Sequence, residues 1–316
     1  MDSETDHRAL TAPRSVEGSV ERLAAYLTGG PTNGRDRARA IFRWMAHSIA
    51  YDTAASVTGS YGDLSAHGVL WRRTAVCEGY SNLFLALASA ARLTAVKISG
   101  YAKGYGYKVG SRFDGGQNHS WNAVSIDDRW QLLDCTWGAG HIDPQSGFVR
   151  EFEPHYFCTR PAEFIYDHLP EDPVWQLHTP VASKQDFEEL VPLRPAFFKN
   201  KLELVSHRKA IIAARSAVEI LLRTFRDTAL VADLRPMGSR APASSPAVTI
   251  TGTTCSIQVL LPSSGDYLLR LFAKPRADPG PLVWALDYRI QAEADTTNPA
   301  VEPPRRTWRP KWWRRG

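Results

Sequence analysis

The sequence has no long apolar run, and its first residues are polar. A membrane-spanning helix needs about 18 apolar residues in a row, and no stretch approaches that length, so no membrane span is expected. The first seven residues, MDSETDH, are acidic and polar, so we expect no secretory signal.

Cysteine is also scarce. Four cysteines in 316 residues do not make a disulfide framework, and no CxxC or CxxH pair predicts a zinc site. They are Cys77, Cys135, Cys158 and Cys255. A reducing, cytoplasmic compartment fits this usage best, and it would keep a thiol nucleophile unoxidised. We expect neither a metal nor a cofactor.

The composition is that of an ordinary globular chain, with 43% hydrophobic and 22% charged residues, and its length allows two domains. The net charge of +5 is mild and predicts no nucleic-acid partner. Much of the positive charge lies in residues 305–315, which is typical of a solvated tail. Binding to an acidic partner or a membrane surface is the alternative for that tail.

The first part of the chain changes from helical to strand periodicity. Apolar spacing predicts helices over residues 16–27, 36–50 and 74–93, with a Gly/Ser-rich loop after residue 52. Alternation predicts strands over 95–101, 120–126 and 129–135, with Asp127-Asp128 as a hairpin turn. This order indicates an α+β domain at 15–194, preceded by disordered residues 1–14 and completed by a wrapping segment, 148–195.

The later part of the chain predicts a second domain. Short apolar strands separated by Pro/Gly/Ser turns indicate a small β-sandwich at 195–292. Residues 205–234 are ambiguous, since part of them could be helical, and we interpret them as strands broken by basic turns. A basic tail rich in Pro, Trp and Arg follows at 293–316.

The string AVCEGYS places Cys77 where the buried third helix begins. A helix N-terminus and a neighbouring imidazolium both lower the pKa of a thiol, and the thiolate is the nucleophile. The same geometry leaves the Cys77 backbone N–H free to bind a developing oxyanion. The alternative for Cys77 alone is a buried structural thiol.

The strings NHSWN and LLDCTWG supply two partners for the thiol. His119 opens one strand and Asp134 closes the next, so the hairpin brings both to the same open end. His119 would act as general base and acid, and Asp134 would orient the imidazole. The alternatives are a hydrogen-bonded core histidine and a capping or turn aspartate.

A glycine- and tyrosine-rich loop at 101–107 precedes His119 and is a candidate substrate lip. Its candidate residues are Tyr105 and Tyr107, together with Trp121 on the following strand. A plain surface loop is the alternative.

The three strings resemble the transglutaminase-like superfamily, which has a papain-like fold, and the chain is more closely similar to the kyphoscoliosis peptidase family. The closer similarity spans about residues 35–200, and four stretches carry it, at 42–52, 96–107, 137–140 and 154–176. Residues 265–274 resemble the immunoglobulin-like domain that follows in that family. The resemblance implies catalytic roles for Cys77, His119 and Asp134. It also implies a cytoskeletal setting with filamin-type partners.

Two functions remain open from the sequence. One is a cysteine-dependent acyl-transfer enzyme, of peptidase or transglutaminase type, acting on amide bonds of a protein substrate. The other is a catalytically silent cytoskeletal adaptor, because fungal cytokinesis relatives resemble this domain but have lost the cysteine. An intact triad favours the enzyme.

Overall fold

The structure is a computed structural model that describes residues 2–30, 33–239, 241 and 244–293. The predicted basic tail lies outside the described residues from residue 294 onward. No helix in the described ranges is both long and apolar enough to cross a membrane.

Helices dominate the first ninety residues. They are α1 (Asp2–Leu10), α2 (Val20–Thr28), α3 (Gly34–Ser48), α4 (Thr53–Thr58), α5 (Ala66–Arg72) and α6 (Cys77–Ala90). Two short strands, β1 (Ala50–Tyr51) and β2 (Thr74–Ala75), pair in parallel between them.

Polar side chains determine where several of these helices begin. The Ser19 hydroxyl accepts the backbone N–H of Arg22, so α2 starts after Ser19 and not at residue 16 as predicted. The side chain of Asp52 caps α4 in the same way, and Ser65 caps α5. The stretch after residue 52 therefore contains two short helices where the sequence indicated only a loop.

Helix α1 contradicts the prediction of disorder over residues 1–14. The Asp6 carboxylate accepts two hydrogen bonds of 2.9 Å from the guanidinium of Arg39 on α3. Ala9 is 1% exposed and belongs to the main core. The polar segment is helical because tertiary contacts, rather than its own apolar pattern, stabilise it.

The second part of this domain is a sheet with short connecting elements. They are β3 (Ala95–Ala102), β4 (His119–Ile126), β5 (Arg129–Leu133), α7 (Cys135–Ala139), β6 (Gly140–Asp143), β7 (Gly147–Arg150), β8 (Phe157–Thr159), α8 (Pro161–Phe164) and β9 (His168–Pro170). Five of the strands form an antiparallel sheet in the order β8-β5-β4-β3-β9, and β6 pairs with β7.

The predicted hairpin at Asp127-Asp128 is confirmed. Both residues have positive φ, 49° and 57°, as a two-residue turn of type I′ requires. The predicted wrapping segment does more than cover the domain, because its strands β8 and β9 form the two edges of the sheet.

The later domain is a β-sandwich that starts with two short helices. Its elements are α9 (Lys184–Glu189), α10 (Pro195–Lys199), β10 (Leu202–Leu204), β11 (Ile211–Ala214), β12 (Ala217–Thr224), β13 (Thr228–Pro236), β14 (Ala247–Thr251), β15 (Thr254–Leu260), β16 (Gly265–Pro275) and β17 (Val283–Ala292). The two sheets have the orders β10-β12-β15-β14 and β11-β17-β16-β13. The ambiguous residues 205–234 are therefore strands, and the predicted fold class is confirmed.

A buried lysine lies where the two domains meet. Lys103 is 0% exposed, and its Nζ atom donates to the carbonyl of Leu190 over 2.6 Å. The Arg194 guanidinium donates to the carbonyl of Lys103 over 2.9 Å. Burial lowers the pKa of Lys103 to about 7. The exact domain boundary near residue 195 stays a prediction.

Candidate active site

Cys77 is the first residue of helix α6, and the extended residue before it, Val76, provides no side-chain cap. The backbone N–H groups of Gly79 and Tyr80 donate to the carbonyl of Val76, whereas those of Cys77 and Glu78 have no carbonyl acceptor within the helix. Burial raises the pKa of the Cys77 thiol. The charge of His119 and hydrogen bonds from His119 and Ser120 outweigh burial, so the pKa lies below its usual value.

His119 opens β4, beside the end of β5, and its Nε2 atom lies 2.7 Å from Asp134 Oδ2. Because that nitrogen is engaged by the carboxylate, Nδ1 is the nitrogen that faces the Cys77 thiol. Burial lowers the pKa of His119, but the charges of Asp134 and Cys77 raise it to about 10 overall. The lowered thiol pKa and the raised imidazole pKa both favour the thiolate–imidazolium form of the pair.

Asp134 is the N-cap of helix α7 rather than the last residue of a strand. Its Oδ1 atom accepts the backbone N–H groups of Thr136 and Trp137, at 2.7 and 3.1 Å. The carboxylate is 0% exposed. Burial raises the pKa of Asp134, but the His119 charge and hydrogen bonds from His119 and His168 hold it well below its usual value.

His168, which sequence reasoning missed, is a second donor to the same carboxylate. It opens the edge strand β9, and its Nε2 atom lies 3.1 Å from Asp134 Oδ2. Its Nδ1 atom lies 2.6 Å from Asp167 Oδ1, and the Tyr156 hydroxyl donates to Asp167 Oδ2 over 2.9 Å. The adjacent Asp167 and His168 were the only local hint of a polar site in the sequence. Nothing in the sequence pattern indicates that His168 contacts Asp134.

The three candidate lip residues do not form one surface. Tyr105 is 64% exposed on its loop. Tyr107 is half-buried and stacks on Phe113 with ring centroids 5.8 Å apart. Trp121 is 1% exposed, so its assignment to the lip is wrong. Trp121 shares the sheet face of His119, and Phe164 of α8 covers its ring at 5.9 Å.

Other aromatic rings surround Cys77, His119 and Asp134. Trp137 lies over the rings of His119 and His168, with centroid distances of 5.4 and 4.4 Å. Burial, and next the charge of Cys77, raise the pKa of Tyr51 to about 12. The charge of Tyr61 also raises the pKa of Tyr51, and Tyr61 is 53% exposed.

One group of side chains in the described residues has the composition of a metal site. It consists of His119, Asp134 and His168. Both imidazoles already make direct hydrogen-bond contacts with Asp134 Oδ2, at 2.7 and 3.1 Å. These contacts have hydrogen-bond lengths, so the arrangement is a hydrogen-bond network.

Residues 21–135 match the transglutaminase-like superfamily, and residues 184–303 match the KY-like, immunoglobulin-like domain. The chain is 30% identical over 275 residues to kyphoscoliosis peptidase of Mus musculus and 31% identical over 267 residues to that of Homo sapiens. The chain belongs to the kyphoscoliosis peptidase family.

Both mammalian kyphoscoliosis peptidase alignments include 84% of this chain but only 40% of the relative. The chain is also 25% identical over 242 residues to cytokinesis protein 3 of Schizosaccharomyces pombe, which includes 73% of this chain and 26% of that protein. Cys77, His119 and Asp134 all lie within the residues that match the transglutaminase-like superfamily, whereas His168 lies beyond them.

Proposed function

We propose that the protein is a cysteine-dependent acyl-transfer enzyme that acts on amide bonds of a protein substrate. The observation that carries the proposal is the hydrogen-bonded Cys77–His119–Asp134 arrangement, in which Nε2 of His119 lies 2.7 Å from the carboxylate. A depressed thiol pKa and a raised imidazole pKa support a thiolate–imidazolium pair.

The geometry is suited to two chemical steps. In the first, the Cys77 thiolate attacks the amide carbonyl, and the Cys77 backbone N–H stabilises the oxyanion that forms. The tetrahedral intermediate collapses to a thioester when the His119 Nδ1–H gives its proton to the leaving nitrogen.

In the second step His119, now neutral, takes a proton from the incoming nucleophile, which attacks the thioester and releases Cys77. Water gives hydrolysis, so the enzyme would be a peptidase or a deamidase. A lysine amine gives a crosslink. Tyr105 and Tyr61 have exposed rings, and they are candidates for contact with the protein substrate.

A cytoskeletal role is part of the proposal. It is supported by the similarity to kyphoscoliosis peptidase and to cytokinesis protein 3. The β-sandwich would bind a cytoskeletal partner of the filamin type and hold the substrate near Cys77. A cytoplasmic location fits such a partner.

A small active ester tests the chemistry without knowledge of the natural substrate. The Cys77 thiolate would displace p-nitrophenolate from p-nitrophenyl acetate, which leaves an acetyl thioester on Cys77. Intact mass and peptide mapping would show the acetyl group, and addition of a primary amine would divert the product from acetate to an amide.

Two variants give this assay its control. Cys77→Ala should abolish the burst of p-nitrophenolate, and His119→Ala should slow it by at least about a hundredfold, the usual contribution of general acid–base catalysis. A burst that survives Cys77→Ala, or no acetylation of Cys77 in the wild type, would refute the proposal. The second result would favour the adaptor function, which the similarity to cytokinesis protein 3 supports.

A further inference from the structure

A buried chain of hydrogen bonds extends the candidate site beyond its three predicted residues. His168 is 0% exposed and lies between two carboxylates, Asp134 at 3.1 Å and Asp167 at 2.6 Å. The Tyr156 hydroxyl closes the chain on Asp167 at 2.9 Å. Burying charged and polar groups in this way is unfavourable unless they hydrogen-bond to one another.

The chemistry of the acceptors decides which hydrogens are present. An ionised carboxylate only accepts hydrogen bonds, so both histidines that contact Asp134 Oδ2 must donate from Nε2. His168 therefore carries a hydrogen on Nε2. This holds whether the hydrogen between its Nδ1 atom and Asp167 Oδ1 belongs to the ring or to the carboxyl group. Four titratable groups face His168, and they are Asp134, Asp167, His119 and Tyr156. The charge of Lys103 interacts with that of Asp167.

The ring of His168 has no freedom to turn away. Phe164 stacks on it with centroids 4.0 Å apart, and Trp137 lies 4.4 Å away on centroids. The backbone is fixed as well, because His168 pairs with Ala102 of β3. Packing and pairing thus hold the Nε2 donor at Asp134 independently of His119.

We propose that His168 is a positioning residue of the acyl-transfer reaction. Asp167 and Tyr156 hold its ring, and its Nε2–H fixes Asp134 Oδ2, the oxygen that orients His119 toward Cys77. The backbone donors of Thr136 and Trp137 fix only the other oxygen. This inference rests on the proposed function and adds to it a residue outside the Cys–His–Asp set.

Two substitutions of equal length separate the hydrogen bond from the ring. The side-chain amide of Gln puts an N–H near the position of Nε2, whereas Met has no donor. In His168→Met the apparent pKa for alkylation of Cys77 by iodoacetamide should rise by about one unit, which makes the rate about tenfold lower at pH values below the pKa of both proteins. His168→Gln should recover most of that rate.

The same pair of changes at the exposed His141 is the matched control and should leave alkylation unchanged. An unchanged rate in His168→Met, or an equal loss in both His168 variants, would overturn the proposal. If the wild-type Cys77 titrates as an ordinary thiol, the proposed function fails, which is a different result.

A second measurement is made on the wild-type protein and uses a variant only to assign the signal. Nitrogen-15 NMR of labelled histidine in the wild-type protein reports which ring nitrogens carry hydrogen. The Nε2 signal of His168, assigned by its loss in His168→Gln, should be that of a protonated nitrogen in slow exchange. A bare Nε2 would overturn the proposal whatever the reactivity of Cys77.

Discussion

Replacement of Asp134 by Asn changes one oxygen of the central carboxylate into a donor. The backbone N–H groups of Thr136 and Trp137 would keep the amide oxygen on their side. The amide nitrogen would then face the Nε2–H groups of His119 and His168, so donors would meet a donor. The variant therefore loses two hydrogen bonds and the negative charge.

The size of the effect follows from the lost bonds. The hydrogen bond from His119 to the charged carboxylate contributes ~2 kcal/mol of support for the His119 imidazolium, whereas the bond from His168 holds the carboxylate itself. Loss of the His119 bond alone corresponds to about a thirtyfold loss of rate. The pKa of His119, about 10 in the wild type, should fall toward its usual value because Asp134 is the main group that raises it.

The assay is the acylation rate of Cys77 with p-nitrophenyl acetate, measured from pH 5 to 9 for the wild type and Asp134→Asn. The alkaline limb of the profile should move to lower pH together with the loss of rate. Circular dichroism and a thermal melt would show that the variant is folded. An Asp134→Asn rate within threefold of the wild type would refute the idea that this carboxylate orients His119.

Three further predictions concern stability. The pKa of Lys103, about 7, lies below the 10.5 of an exposed lysine, so between these values the unfolded chain binds a proton that the folded chain lacks. Stability should rise with pH across that window by up to ~5 kcal/mol from this residue, and urea melts of Lys103→Met should lack that rise. In Gly100→Ala the new Cβ would lie 2.2 Å from the carbonyl oxygen of Leu169, so β9 must shift, and we expect a loss of about 3 kcal/mol in the same melts. A loss below ~1 kcal/mol would contradict that close approach. Asp6→Asn should weaken the two hydrogen bonds from Arg39, and amide hydrogen exchange should become faster in α1 while it stays unchanged in the sandwich.

Local patterns were sufficient for the elements that carry the predicted triad. The start of α6 at Cys77 and the turn at Asp127-Asp128 follow from signals within a few residues. That hairpin brings the start of β4 beside the end of β5, which accounts for the contact between His119 and Asp134. Their catalytic roles stay a prediction.

Contacts between distant parts of the chain could not be predicted in this way. His168 reaches Asp134 from 34 residues away because β9 pairs with β3, and nothing in the local sequence specifies that pairing. Trp121 lies on the strand that follows the Gly/Tyr loop, but Phe164 of α8 covers its ring, and no local pattern predicts that contact.

The central claim is that Cys77 is an ionised nucleophile paired with His119. The most direct test is the rate of iodoacetamide modification at each cysteine as a function of pH, measured by peptide mass spectrometry. Burial raises the pKa of Cys135, Cys158 and Cys255, so these three are internal controls. We predict that Cys77 reacts first, with an apparent pKa below 9.0 that moves upward in His119→Ala. A Cys77 that stays inert, or that titrates as an ordinary thiol in both proteins, would contradict it.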